Sequence, residues 1–322
     1  MYRKPMGYSR SHMRAVAAAG GSRWTRLRYI TERRGFLATL LISPAVLLIG
    51  LLVGVPLVLA VYLSFTDATA GSLSGKWIGL KNFTDALRDP IFRGALWHTL
   101  LFTVISQAVV IVCAGLLAHA LIRKFRGRWI LRFFVLLPWA APISLTVIGF
   151  LWFYDPQASI FTWFLVHLHL VSKANPPNWL GTPNAAMSSI ITVQAWRTIP
   201  FATVIFLAGI SSIPQEVDDA AAIDGATGLR KFWHVSLPLQ LPIAIVAILF
   251  GIVFTATDMV VPYILTNGGP FNSTQVITTW AFQTGINAGN LGQGAAISLF
   301  MLPVLAFVAI GMLVFARRAE VT

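Results

Sequence analysis

The apolar residues of this chain fall in six long blocks. They run from Phe36 to Phe65, Ala95 to Ile122, Leu131 to Phe153, Ala186 to Ile210, Pro242 to Leu265 and Gly294 to Ala316. A helix needs about 20 such residues to cross roughly 30 Å of hydrocarbon. The bilayer core offers no water to backbone groups, so spans of this length form helices and not open sheet. The fold class expected is all-α, a polytopic membrane protein with six transmembrane helices. Composition agrees, with 57% of 322 residues hydrophobic and 11% charged. Mean hydropathy is +0.74. Too few polar side chains remain to cover a water-soluble globule of this size.

Basic residues set the orientation, because Lys and Arg are retained on the cytoplasmic side during insertion. Eighteen of the 24 fall before the first span, between Arg123 and Arg132, at Arg230 and Lys231, and at Arg317 and Arg318. The opposite side carries five: Lys76, Lys81, Arg88, Arg93 and Lys173. Both termini are therefore expected in the cytoplasm. The formal charge of +13 is nearly all juxtamembrane, where it meets anionic membrane lipid, and it does not point to nucleic acid. The first apolar block is too long for a signal-peptide core and reads as a retained anchor. The single cysteine, Cys113, lies in the second span, which excludes an intrachain disulfide and a cysteine metal cluster.

The expected organisation is a basic cytoplasmic tail over residues 1–35 and one transmembrane domain over 36–322. The outer segment from Thr66 to Gly94 is mixed in polarity, and a short interfacial helix is expected around Asn82 to Arg88. Pro138, Pro142, Pro200, Pro262, Gly149 and Gly251 interrupt the spans. Such breaks are tolerated where helices line a cavity, as in transporters.

No catalytic motif is present. "GSLSGKW" at Gly71 has one residue too few for a phosphate loop and carries Trp77 where a magnesium-binding hydroxyl belongs. There is no HExxH or GxSxG, and the six histidines are scattered, so no metal site is expected even at His167 and His169. ATP-driven work would need another chain to hydrolyse the nucleotide. Two charges sit deep in apolar sequence, Arg197 and Asp258, each costing roughly 2.5 to 3.5 kcal/mol at a helix centre. They are read either as an ion pair that fixes helix register or as residues facing a translocation path.

The block "DDAAAIDGATGLRKFWHVSLP", from Asp218 to Pro238, interrupts this apolar chain. Ser212 is expected as an N-cap, with Gln215 completing a capping box and Pro214 in the first turn. Ala220, Ala221 and Ala222 keep the helix slender, and Gly225 supplies a stop. A second helix is expected from about Thr227, with Phe232, Trp233 and Leu237 as anchors. An amphipathic hairpin resting on lipid is the other reading.

Asp219, Ala220, Ala221, then Ala222, Ile223, Asp224 and Gly225, followed by "VSLP" at Val235, resemble the EAA loop of permease subunits in binding-protein-dependent ABC importers. Here Asp219 stands where the pattern has Glu. "WIGLKNFTDALRDPIFRGALWHTLLFT" from Trp77 and "LTNGGPFNSTQVITTWAFQTG" from Leu265 resemble segments of the maltose- and glycerol-phosphate-type sugar permeases. Within that subgroup the chain resembles the larger maltose-permease-like subunit, and the likeness extends from about Phe36 to Phe315.

The resemblance implies a type I importer permease fold in a bacterial inner membrane. It also implies a second permease subunit, an ATPase dimer that holds ATP and Mg, and an external solute-binding protein. Loop 212–241 would couple to the ATPase through Asp219, Ala220, Ala221, Asp224 and Gly225. The family's sugar-contacting positions carry over to Gln194, Arg197, Thr198 and Phe201, and to Gly251, Phe254, Thr255 and Asp258. Arg197 and Asp258 depart from the maltose pattern, so a sugar or polyol-like solute is expected rather than maltose itself. No cofactor is expected on this chain. The rival readings are an ATP-independent secondary transporter or channel and an integral-membrane enzyme.

Overall fold

A computed structural model describes residues 34–72, 74–123, 125–157, 159–226 and 228–321. The tail expected over residues 1–35 lies outside the described residues up to position 33, as does Thr227. The described residues form two compact units, one up to residue 60 and one from residue 61.

The first unit holds α1 (Arg34–Ile49), a π-helical turn (Gly50–Gly54) and the start of α2 (Val55–Ser64). From Phe36 onward its sequence is apolar on every side, as suits a helix solvated by hydrocarbon. From Ala38 to Ser64 the helix is 27 residues long, enough to cross a membrane.

The second unit continues with α3 (Lys81–Arg88), α4 (Pro90–Ile122), α5 (Arg128–Ala140), α6 (Ile143–Phe153), α7 (Ile160–His167), α8 (Pro183–Ser211) and α9 (Gln215–Ile223). There follow α10 (Gly228–Lys231), α11 (Leu237–Ala256), α12 (Val260–Thr266), α13 (Ile277–Phe282), α14 (Leu291–Leu299) and α15 (Met301–Val321). The architecture is all-α among the described residues, with only isolated β-bridges at Thr66–Trp77 and Thr69–Ser72. Among the described residues five helical stretches are long and apolar enough to span a membrane, or six if the bent pair α5 and α6 counts as one span. The interfacial helix expected near Asn82 is α3. Its Asn82 Nδ2 is buried and donates to the carbonyls of Ser64 and Thr66 at 2.9 and 2.8 Å, which anchors the helix to the end of α2.

Two spans differ from the sequence expectation. The block Leu131 to Phe153 is not one rod: α5 and α6 meet at 101°. Pro142 has no N–H to continue the ladder and disfavours helical geometry in the residue before it, and Ala141 is extended at φ −75°, ψ 141°. The block Pro242 to Leu265 also breaks. The α11 helix ends at Ala256, Thr257 closes back on Val253, and α12 begins afresh at Val260. Asp258 lies in the gap between them.

Helices α4, α8 and α11 form the centre. Where they cross, the buried residues include Ala114, Ala118, Ala195, Ala202, Ala244 and Ala247, joined by Val110 and Phe206. Lipid tails are as apolar as leucine, so helices in a membrane gain by close backbone approach, which small residues permit. A second cluster, with Phe102, Val147, Ile190, Val193, Val261 and Val276, locks α4 and α8 to α6 and α12.

The two ends of this bundle are distinct. At one end His98 Nδ1 donates to the Gln275 carbonyl at 3.2 Å. There also Trp280 Nε1 donates to Asp89 Oδ2 at 3.1 Å, and Gly292 N donates to the Ala68 carbonyl at 3.0 Å. At the other end, His119 on the last turn of α4 meets Phe232 edge to face at 5.1 Å. Segments 66–94 and 267–290 thus share one end, while the Asp218 block and the loop after α4 share the other.

Candidate functional site

Arg197 sits in the middle of α8 and Asp258 in the gap between α11 and α12. Their side chains pair, Arg197 Nη2 to Asp258 Oδ2 at 2.9 Å, with only 16% and 5% of each exposed. The second carboxylate oxygen, Asp258 Oδ1, accepts from Val261 N at 2.9 Å. Asp258 therefore does two things: it satisfies a free amide at the start of α12 and neutralises the guanidinium. Its backbone carbonyl also accepts from Thr278 Oγ1 at 3.0 Å. Two charges that are individually costly in apolar surroundings are held by each other and by the helix break.

Beside the pair lies an uncharged polar joint. Gln107 on α4 donates from Nε2 to the Gly251 carbonyl at 3.0 Å and to Thr255 Oγ1 at 2.8 Å. Gln194 on α8 donates to the same Thr255 hydroxyl at 3.2 Å. One threonine thus links the three central helices. Gly251 is required by this arrangement: a Cβ there would lie 2.1 Å from Gln107 Oε1. Gln194 Oε1 and, one turn on, Arg197 Nε are buried with no hydrogen-bond partner. An unused acceptor and an unused donor on one helix suit a group that can both give and take a hydrogen bond, such as a hydroxyl.

The third component is aromatic. Trp139, on the last turn of α5 before its break, stacks on Phe201 of α8 with centroids 5.1 Å apart and planes 22° apart. Phe254 of α11 meets Phe201 edge to face at 5.8 Å and Trp139 at 6.1 Å. Phe250 adjoins both phenylalanines at 6.2 Å. Trp139, Phe250 and Phe254 are each two-fifths exposed or more, so the cluster is a surface and not a sealed core.

The structure therefore joins Arg197 to Asp258, Gln194 to Thr255 and Phe201 to Phe254. Gln194, Thr198, Gly251 and Thr255 are buried between helices, and Thr198 Oγ1 donates back to the Gln194 carbonyl at 2.8 Å. Gln107, Trp139 and Phe250 escape a reading that looks for charges. The signal for Gln107 was available as an amide alone in the apolar second span.

The residues expected to couple to an ATPase lie at the other end of α8. The helix α9 spans Gln215–Ile223, but Ser212 does not cap it. Ser212 closes α8, its Oγ donating to the Gly209 carbonyl at 2.8 Å, and Pro214 stands at the N-cap with no side-chain bond. The long helix runs through Ser211, which consumes the serine at its own C-terminus. Gln215, freed from a capping box, donates instead to Asp219 Oδ1 at 3.0 Å. Gly225 does end the helix, at φ +71°, with its N–H on the Ala222 carbonyl and Ala226 N on Ala221 at 2.8 Å. Ala220, Asp224 and Gly225 are exposed while Ala221 is buried. The expected second helix starts at Gly228 as α10, but it does not end before the next span. The α10 helix passes through a π-helical turn, Phe232–Ser236, straight into α11. Pro238, which has no N–H for the carbonyl one turn back, adjoins that turn.

Residues 111–321 match the family model described as "Binding-protein-dependent transport system inner membrane component". The chain belongs to this permease family. Among curated relatives, the permease is 32% identical to the sulfoquinovosyl glycerol transport system permease protein of Agrobacterium fabrum, covering 87% of this chain and 89% of that one. It is 31% identical to the trehalose/maltose transport system permease protein of Thermococcus litoralis, covering 92% and 98%. Among solved structures, a bacterial ABC transporter that imports the acidic polysaccharide alginate superposes with a TM-score of 0.76 at 20% identity, covering 91% of the permease and 99% of that chain. The permease thus has the type I importer fold expected from its sequence.

Proposed function

We propose that this permease forms, with a second permease subunit, the path by which a sugar or polyol-like solute enters a bacterial cell through the inner membrane. Uptake is driven by an ATPase dimer on the cytoplasmic side and fed by an external solute-binding protein. Both chain termini are cytoplasmic in this reading. The observation that carries it is the set of features at the centre of the bundle: a neutralised charge pair, unused hydrogen-bonding atoms on Gln194 and Arg197, and an exposed aromatic surface. Sugars present hydroxyls on their edges and C–H groups on their faces, and these features complement both. Relatives named for sulfoquinovosyl glycerol and trehalose/maltose transport support the solute class.

Coupling falls to loop 212–241. The slender α9, with Asp219, Ala220, Ala221, Asp224 and the Gly225 turn, is a protrusion small enough to enter a groove on the ATPase. It hangs directly from α8 and leads through α10 into α11, the helices that carry the central site. Motion of α9 is thereby transmitted to Arg197 and Asp258. ATP and Mg belong to the partner, since this chain offers no phosphate loop. Purification of the chain with its partners from host membranes tests the reading. ATP hydrolysis stimulated by external solute supports it, and solute movement that persists with no ATPase present favours a secondary transporter or channel.

A further inference from the structure

Phe271 is the most exposed large hydrophobic side chain among the described residues, 93% accessible. Its backbone is also in the left-handed region, at φ +52°, between Gly268 at +82° and Asn272 at +60°. Glycine and asparagine enter that region readily, but a phenylalanine there is strained. Residue 271 therefore carries two costs, an apolar ring left in solvent and a strained backbone, and recovers neither inside this chain. Strain of this kind persists where the surroundings over-determine it.

The loop around it is over-determined. Thr266 and Thr274 hydroxyls lie 2.7 Å apart, and Thr274 Oγ1 donates to the Gly269 carbonyl at 2.7 Å. The buried Gln275 donates to Gln283 Oε1 at 2.7 Å, and Gln283 Nε2 returns to Asn267 Oδ1 at 2.9 Å. Gly268 fits against Gln275 so closely that a Cβ would stand 1.5 Å from its Oε1. The base is fastened to α4 through His98. A fixed loop thus presents one aromatic ring outward from the end of the bundle opposite the coupling block.

We infer that Phe271 is the anchor by which the outer face of this permease docks its external solute-binding protein, its ring filling an apolar socket on that protein. The inference rests on the proposed orientation, in which segment 267–290 is external. The exposed residues beside the ring, Asn267 and Asn272, are polar and uncharged. Such a backbone does not enter the acyl layer, and a permanent subunit interface is more apolar than this. One aromatic ring within a polar, hydrogen-bonding rim is the pattern of a transient interface with a central hot spot. The matched family depends on a binding protein.

The test uses the whole transporter in host membranes. With the photoreactive p-benzoylphenylalanine at position 271, irradiation is expected to crosslink a protein whose mass-spectrometric identity is a solute-binding protein. The same residue in place of Phe307, an exposed phenylalanine of α15, is expected not to. Phe271→Asn, which keeps the left-handed backbone, is expected to weaken binding of that protein to the purified transporter about tenfold or more, with unstimulated ATP hydrolysis unchanged. Crosslinking to the second permease or to lipid, or unaltered binding of Phe271→Asn, overturns the inference. Labelling of Phe271→Cys by a membrane-impermeant maleimide separates the docking role from the orientation. A cysteine labelled from outside with no crosslink to a binding protein refutes the docking role alone, whereas one reached only from the cytoplasm refutes the orientation as well.

Discussion

Arg197 Nη2 stands 2.9 Å from Asp258 Oδ2, so the middle of one long helix is tied to the gap in another. Arg197→Ala or Asp258→Ala strands the remaining charge and is expected to lower stability by about 3 to 5 kcal/mol. The double replacement Arg197→Met with Asp258→Leu is expected to recover most of that stability without restoring uptake. Thermal unfolding of the purified assembly, alongside solute uptake, checks both. Uptake that recovers together with stability would reduce the pair to a fastening between helices.

The aromatic surface gives a separate prediction. Trp139→Ala removes the ring stacked on Phe201 and is expected to cost about 1 kcal/mol in stability. The solute concentration for half-maximal uptake is expected to rise about tenfold, the equivalent of about 1.4 kcal/mol. Trp139→Phe retains a face for stacking and is expected to behave nearly as the wild type. Uptake kinetics at graded solute concentrations check it.

Gly251→Ala places a methyl group 2.1 Å from Gln107 Oε1. The crowding is expected to cost about 1 to 3 kcal/mol. Gln107→Ala in the same chain makes room and is expected to recover part of that loss. Denaturation midpoints of the single and double variants measure the coupling.

Gly225 has open space around it, so its role is conformational: φ is +71° and nothing lies within 4 Å of a Cβ built there. Gly225→Ala is expected to cost about 1 kcal/mol locally and to weaken ATPase capture. Gly225→Asn, tolerated in that backbone region, is expected to retain more of it. Copurification of the ATPase with each variant is the readout.

How far the sequence was legible depended on the kind of signal. Span lengths and buried charges are strong signals, because hydrocarbon penalises polarity in single residues, and Arg197 and Asp258 stood out for that reason. The helix breaks were harder. Pro142 and Pro262 look alike in an apolar run, yet the chain turns by 101° beside the first, while the fifth span opens at Thr257 to Met259, before the second. Which break is used depends on tertiary partners, here the pairing of Asp258 with Arg197 and Val261. Trp139 gave no signal, since aromatic residues are common in such spans and its importance comes from the bend that follows it. Ser212 misled because a serine before proline suits the start of one helix as well as the end of another.

The decisive measurement of coupling through α9 is ATP hydrolysis by the assembly purified on a tagged copy of this chain, wild type against Gly225→Asp. Hydrolysis is expected to copurify with the wild-type chain and to be lost, together with solute uptake, in Gly225→Asp while the chain still reaches the membrane. Absence of any copurifying ATPase, or uptake that survives the substitution, would contradict that coupling.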